Sequence, residues 1–327
     1  MNKNKTTNIG VIGVGFLGNY HVQQLQNIPN VNLVGVYDLS FSRASEIGDK
    51  YKVKTYTDFE ELLDECDAVS VVTPTSTHFE IANRAIQKNC HVFIEKPITK
   101  TTTEAKSLLK LSKENRRIIQ VGHIEQFNPA FLALDKESLV PEFIESHRLS
   151  PFNIRGTDVP VVLDLMIHDI GIILSLVKQK VSSVQANGVS VVSETADIAT
   201  ARIEFNGGCV ANLTASRISQ KKMRKLRIFQ RNNYTTIDFL LVKTETYNVV
   251  DEISSLTQNE INFELKGHEK KQIVYRNLDI KDGNALHLEL SHFVNAIQNS
   301  RQPTVDGYGA TETLQVALQI QKIIDES

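Results

Sequence analysis

Three glycines, one acid, one lysine and an acid–histidine pair carry the chemistry that can be read from this 327-residue chain. Gly13-Val14-Gly15-Phe16-Leu17-Gly18 stands between a short apolar run and an amphipathic stretch. In that context the first glycine makes a tight turn, the second lets a pyrophosphate reach the backbone, and the third lets helix pack on strand. The helix N-terminus then faces the phosphates. Asp38 lies 20 residues past Gly18, at the end of the second apolar run. There a carboxylate binds both ribose hydroxyls of a dinucleotide and repels a 2′-phosphate, which favours NAD over NADP. The plainer alternative is a glycine turn followed by a surface aspartate.

His91-Val92-Phe93-Ile94-Glu95-Lys96-Pro97 reads as a strand that ends in charge. Ligands of an open α/β sheet bind at the carboxyl ends of its strands, where Thr73-Pro74 and Glu95-Lys96-Pro97 are expected. Pro97 stops the strand and restrains the backbone of Lys96. From such a stem an ammonium can hydrogen-bond a substrate hydroxyl and stabilise the alkoxide that forms as hydride leaves. The alternative is a solvated lysine at a strand end, since charged side chains usually sit in water. Asp164 and His168 stand four apart in the otherwise apolar stretch Val161 to Val177, which puts them on one helix face. Burying both is costly unless they are paired. Either Asp164 orients His168 at a cleft, or the two make a structural hydrogen bond in a core. No third residue has a compelling position for a metal ligand.

Such side chains need elements to hold them. From Asn8 to Gly122, apolar runs alternate with amphipathic stretches, the rhythm of a doubly wound parallel sheet in an α/β protein. The strands read as Asn8 to Ile12, Asn32 to Tyr37, Ala68 to Val72, His91 to Glu95 and Ile118 to Val121. Thr57-x-x-Glu60 and Thr101-x-x-Glu104 spell capping boxes at helix starts. After about Gln126 a helix-like stretch runs to Lys136, and an apolar helix spans Val161 to Lys178. Period-two strands follow at Val184 to Val192, Ile198 to Phe205, Cys209 to Ser216, Lys225 to Gln230 and Thr235 to Leu240, as in an antiparallel meander. Helices at Asn284 to Asn299 and Gly309 to Ile324 close the chain. The division expected is a dinucleotide domain over 1–122 and a substrate domain over 123–327.

Apolar residues at 41% and charged residues at 23% describe an ordinary globular chain, and the length suits two domains. Thirty-six Lys and Arg against 38 Asp and Glu leave a charge of −2, so no global field draws in nucleic acid or anionic lipid. The run Lys221 to Arg227 reads as an alternating surface strand rather than an anion patch, since no aromatic platform accompanies it. The apolar stretch Val159 to Val177 contains Asp164, His168 and Asp169, which argues against a membrane span. Met1 to Asn8 is too polar for a signal peptide. Cys66, Cys90 and Cys209 match neither a disulfide framework nor a zinc site. A cytoplasmic setting is expected.

Taken together, Gly13 to Gly18 with His21, Thr73-Pro74 with His78, Glu95-Lys96-Pro97 and Asp164-x-x-x-His168 resemble the glucose-fructose oxidoreductase, inositol dehydrogenase and rhizopine catabolism family (Gfo/Idh/MocA). The resemblance covers nearly the whole chain. It implies an N-terminal Rossmann domain and a C-terminal α+β domain with a large, mostly antiparallel open sheet, on which a homodimer or homotetramer is built. NAD is the implied cofactor, with Gly13, Gly15, Phe16, Leu17, Gly18, Asp38, Thr73, Pro74, His78, Glu95 and Lys96 at its site. By the same resemblance His168 takes the hydroxyl proton, Lys96 positions the oxygen and Asp164 orients His168; the residue types suit those tasks at neutral pH.

A narrower resemblance lies in Gly122 to Pro129, His147 to Phe152 and Val161 to Ile170. These segments are similar to the branch that oxidises the 3-hydroxyl of UDP-linked N-acetylglucosamine, whose product passes to an aminotransferase for lipid A. It implies that His123, Glu125, Asn128, Asp164 and His168 contact substrate. Arg148 and Arg155 are the candidates for holding its diphosphate. Gln126 stands where that branch usually has arginine, and Gly171 where an aspartate commonly stands; losing a bidentate arginine removes a strong anion contact. A dehydrogenase of a free sugar or polyol is the enzymatic alternative. A cofactor-binding sensor without chemistry is the other, and the intact Lys96, Asp164 and His168 argue against it.

Overall fold

The structure, a computed structural model, describes residues 6–153, 159–251, 260–264 and 271–327. In chain order its elements begin β1 (Thr7–Ile12), α1 (Phe16–Leu25), β2 (Val31–Tyr37), α2 (Phe41–Tyr51), β3 (Lys54–Thr55) and α3 (Phe59–Asp64). Then come β4 (Ala68–Val71), α4 (Thr75–Gln87), β5 (His91–Glu95), α5 (Thr102–Asn115), β6 (Ile119–Gly122) and a 3₁₀ turn (Ile124–Phe127). There follow α6 (Pro129–Leu132), β7 (Phe143–Leu149), a π-helical turn (Val162–Met166), α7 (Ile167–Val177), β8 (Val181–Val189), β9 (Ile198–Phe205), β10 (Val210–Ser216), β11 (Met223–Gln230) and β12 (Asn233–Asp238). The last are β13 (Lys243–Val250), β14 (Glu260–Glu264), β15 (Gln272–Asn277), α8 (Ala285–Gln298) and α9 (Gly307–Asp325).

The chain divides into two compact units, Met1–Phe127 with Asn284–Leu314, and Asn128–Gly283 with Gln315–Ser327. In the first unit the described strands form a parallel sheet in the order β3-β2-β1-β4-β5-β6. β4 is buried along its whole length, as a strand covered on both faces must be, and reads as a continuous apolar run apart from Ser70. The order reverses between β1 and β4, so the glycine turn after β1 sits at the switch point where such sheets bind ligands. Thr101 and Glu104 make the expected capping box at α5. At α3 the cap is Asp58 rather than Thr57, its side chain accepting from the Glu60 amide. β3, only two residues long, escaped periodicity.

Assignment of α8 to the first unit also departs from the division expected at residue 122. Leu286, Leu290, Phe293 and Val294 pack with Ile9, Val22, Leu25 and Phe93 in one apolar cluster. Burying each such large side chain is worth roughly 1.5–3 kcal/mol. Apolar period marks a helix face but not the sheet it will cover.

In the second unit the described strands form a sheet in the order β14-β15-β13-β12-β11-β7-β10-β9-β8. Its pairs are antiparallel except β7 with β10. β7, absent from the sequence reading as a strand, is inserted between β10 and β11 and interrupts the expected meander. Alternation along β7 and β10 buries one face only, unlike β4. That face carries Ile144, Ala211, Leu213, Leu226 and Ile228 into a core with Ile170, Ile173 and Leu176 of α7. On the opposite face Phe143, Phe229, Tyr234, Tyr247 and Tyr275 form a cross-strand aromatic ladder, with successive ring centroids 4.8–5.7 Å apart. The basic run becomes β11 as expected, where Arg227 meets Glu145 and Lys225 meets Asp238.

Candidate active site

Backbone sterics build the dinucleotide end of the first unit. Gly13 has φ +86°, a left-handed conformation, and a Cβ there would lie 2.6 Å from the Val72 carbonyl oxygen. At Gly18 a Cβ would collide with the carbonyl oxygen of Gly13, so helix could not close on turn. Gly15 faces open space, with no atom within 4 Å of the Cβ position. It is also the N-cap of α1 and offers no side chain to the first-turn amides, which leaves them for an anion. Phe16 and Leu17 follow on the exposed first turn, Phe16 edge-on to Tyr20 at 5.3 Å.

Asp38 stands at the end of β2. Its Oδ2 accepts from the Val14 amide at 2.8 Å and its Oδ1 from the Ser40 amide at 2.9 Å. Two amides fix the carboxylate, and its remaining lone pairs can accept from two ribose hydroxyls. A cleft of about 420 Å³, lined by Gly13, Gly15, Asp38, Leu39, Thr73 and Pro74 among others, lies beside it. An open glycine, uncapped helix amides and a fixed acid are what an NAD pyrophosphate and ribose require, and the residues present fit that cofactor.

Glu95 ends β5 and Lys96 follows it, with a cis peptide between Lys96 and Pro97. Glu95 is buried: Oε1 faces His21 Nε2 at 3.1 Å, and Oε2 accepts from the Lys96 amide at 3.2 Å. It therefore braces the lysine's backbone. His78 lies beside it, at the ends of β4 and β5. It is 1% exposed, with Nδ1 2.9 Å from the Pro97 carbonyl and Nε2 2.9 Å from the Thr73 carbonyl. Burial lowers its pKa, and a neutral ring donates to one of these carbonyls; it ties the ends of β4 and β5 together. His123 is buried, and desolvation followed by the Lys96 ammonium lowers its pKa to about 4, with Glu95 opposing. Glu125 is buried in the 3₁₀ turn that follows.

In the second unit, the helix expected at Val161 begins as a π-helical turn containing Asp164, and His168 lies in the first turn of α7. π turns inside helices occur frequently at functional sites. Both side chains are half-buried. Arg148 does not stand free for a diphosphate. It is 3% exposed, and it donates from Nε and Nη2 to the two carboxylate oxygens of Asp169 at 3.1 and 2.7 Å. Its fork thus anchors the residue after His168. Asn128 caps α6 through the Ala130 amide and donates to the Phe239 carbonyl at 3.1 Å, a structural use the substrate expectation missed. Arg155 lies outside the described residues. Asp169 was read only as a charge that argues against a membrane span, and Glu289 escaped the sequence reading. Glu289 left a signal, an acid on the buried stripe of α8 with Leu286, Leu290 and Phe293.

A Rossmann sheet with this glycine turn and this acid defines an NAD-binding oxidoreductase. The profile described as "Oxidoreductase family, NAD-binding Rossmann fold" (GFO_IDH_MocA) matches residues 7–123, and the GFO/IDH/MocA C-terminal domain matches residues 147–232. The chain belongs to the Gfo/Idh/MocA family and is an NAD-dependent dehydrogenase acting on CH–OH groups. It is 36% identical over 321 residues to UDP-N-acetylglucosamine 3-dehydrogenase of Acidithiobacillus ferrooxidans, covering 97% of this chain and 96% of that one. A solved structure of that organism's UDP-N-acetylglucosamine 3-dehydrogenase GnnA superposes with TM-score 0.88 at 35% identity, covering 98% of each chain. The scyllo-inositol 2-dehydrogenase (NAD(+)) of Bacillus subtilis is 27% identical over 338 residues, 94% of this chain and 91% of that one. No described helix is long and apolar enough to cross a membrane.

Proposed function

We propose that this chain oxidises the C3 hydroxyl of UDP-N-acetylglucosamine to the 3-keto sugar. The observation that carries this is 36% identity along 97% of the chain to a relative of that activity, supported by the anchored Asp38 and by a lysine at the carboxyl end of β5. When bound, the nicotinamide accepts the hydride. His168 takes the hydroxyl proton, Asp164 orients the imidazole, and the Lys96 ammonium stabilises the oxygen as it gains charge. His123 and Glu125 belong with the sugar-contacting groups. With Arg148 committed to Asp169, the diphosphate falls to other cations, Arg155 among them.

The 3-keto product suits transamination by a partner aminotransferase, with the amino sugar destined for lipid A or a related surface glycan, and the compartment is the cytoplasm. Homo-oligomerisation through the second sheet is supported by the half-buried aromatic ladder on its outer face and by the concavity on the same sheet, lined by Thr200, Arg202, Asn212 and Thr214. A free-polyol dehydrogenase is the second reading, favoured by the inositol dehydrogenase relative and by Gln126 in place of a cation.

The test incubates purified protein and NAD with UDP-N-acetylglucosamine, N-acetylglucosamine, glucose or myo-inositol, following NADH absorbance. A pathway aminotransferase and glutamate are added to draw the equilibrium forward. Turnover of the nucleotide sugar is expected. Turnover confined to a free sugar or polyol rejects the proposal.

A further inference from the structure

Glu289 is fully buried in α8, and among the described residues neither of its carboxylate oxygens has a hydrogen-bond partner. An ionised carboxylate in that setting would be desolvated without compensation. Glu95, the neighbouring acid that acts on it, is supplied very differently. It receives the Lys96 amide on Oε2, and His21 faces Oε1. His21 Nδ1 lies 2.9 Å from Ser70 Oγ, whose hydroxyl can donate, so Nε2 carries the hydrogen that Glu95 accepts. Room for this carboxylate depends on Gly122, where a Cβ would stand 2.7 Å from Glu95 Oε1.

The other titratable groups on the elements packed about α8 are Tyr20 and His21 on α1, His91 on β5 and Lys96 after it, His123 after β6 and Glu125 in the 3₁₀ turn. His287 and His292 lie on α8 itself. Burial lowers the pKa of both His123 and His292, so neither brings a positive charge at neutral pH. His292 is engaged instead by Gln120 Oε1 and Thr304 Oγ1, both at 3.1 Å. Burial, and then the charge of Glu95, push the Glu289 carboxyl well above the usual range.

We infer that Glu289 keeps a proton at neutral pH, so that Glu289 and Glu95 carry one negative charge between them. Two neighbouring desolvated carboxylates do not both ionise. The charge resides on Glu95, which has donors, and the proton on Glu289, which has none. Glu289 is thereby a positioning residue. A second negative charge would draw the lysine ammonium back toward the carboxylates, and an empty site would release Glu95 from its neutral neighbour. That role rests on the dehydrogenase reading, whereas the proton kept by Glu289 does not.

Infrared spectroscopy of the full-length protein at neutral pH, wild type against Glu289→Gln and Glu289→Ala, tests both parts. A protonated-carboxyl stretch should be present in wild type and absent from Glu289→Gln. Glutamine, a neutral mimic of the acid, should keep kcat within about threefold, while Glu289→Ala should lose about tenfold at unchanged NAD affinity. A wild type without the band, a band that survives Glu289→Gln, or wild-type kcat in Glu289→Ala overturns the inference. A wild type that shows the band and turns over no sugar upholds the proton kept by Glu289 and overturns the dehydrogenase reading.

Discussion

Lys96 follows a buried acid and His168 precedes one, and the chain compensates the two acids by different means. In the second unit Asp169 is met by the bidentate guanidinium of Arg148, a charge that does not titrate in proteins. In the first unit Glu95 is met by an imidazole and an amide, with Glu289 beside it unpartnered and His123 held neutral. One neighbourhood is balanced by fixed charge and the other by where protons sit. The second should therefore be brittle to mutation and indifferent to pH, and the first should respond to pH.

The most disruptive way to break the contrast is Arg148→Met, which strands a buried carboxylate. Removing one partner of such a pair costs about 3–5 kcal/mol, to be read as a lower urea midpoint at constant m-value. The double variant Arg148→Met/Asp169→Leu should recover much of that loss. A single variant as stable as wild type would show that the pair is not desolvated.

Next in size are the two chemical side chains. Lys96→Met and His168→Ala should each lower kcat by about 10²-fold or more, on the order of 3 kcal/mol, at nearly unchanged NAD affinity. Steady-state kinetics beside a cofactor titration decide this. Wild-type kcat in both variants removes the roles assigned to them.

The smallest effect sharpens the pH side. His123 titrates near 4 in the folded chain and near 6.5 when unfolded. As pH falls below 6.5 the unfolded chain binds a proton that the folded chain refuses, so stability declines until pH reaches about 4. That amounts to about 2 kcal/mol between pH 6.5 and 5. His123→Gln should flatten this part of the stability–pH curve, measured by urea unfolding at each pH. An unchanged slope would mean that another group carries the acid sensitivity.

Much of the first unit was legible because its signals are local. Glycine spacing, the acid after the second strand and the Thr101-Glu104 box each act within a turn or a strand end, and each is found where it was read. β7 was missed because its sequence, Phe143 to Leu149, has Glu145 and His147 between its buried positions. Only insertion between β10 and β11 makes a strand of it. Arg148 was misread for a related reason. An arginine on a half-buried strand looks available until its partner, 21 residues away, is located. Nor does the spacing of Asp164 and His168 announce a π turn, which local periodicity cannot separate from α-helix.

By itself the sequence determined the parallel sheet, the dinucleotide turn and the choice of NAD. These follow from backbone sterics and from one carboxylate at a strand end, and a few neighbouring residues suffice to impose them. Which charges lie dry, and beside what, was decided only by the tertiary structure. Glu95 meets His21 across 74 residues of chain, and α8 returns from beyond residue 284 to bring Glu289 into the first unit. Desolvation belongs to a place in the fold, and no residue carries it in its sequence context.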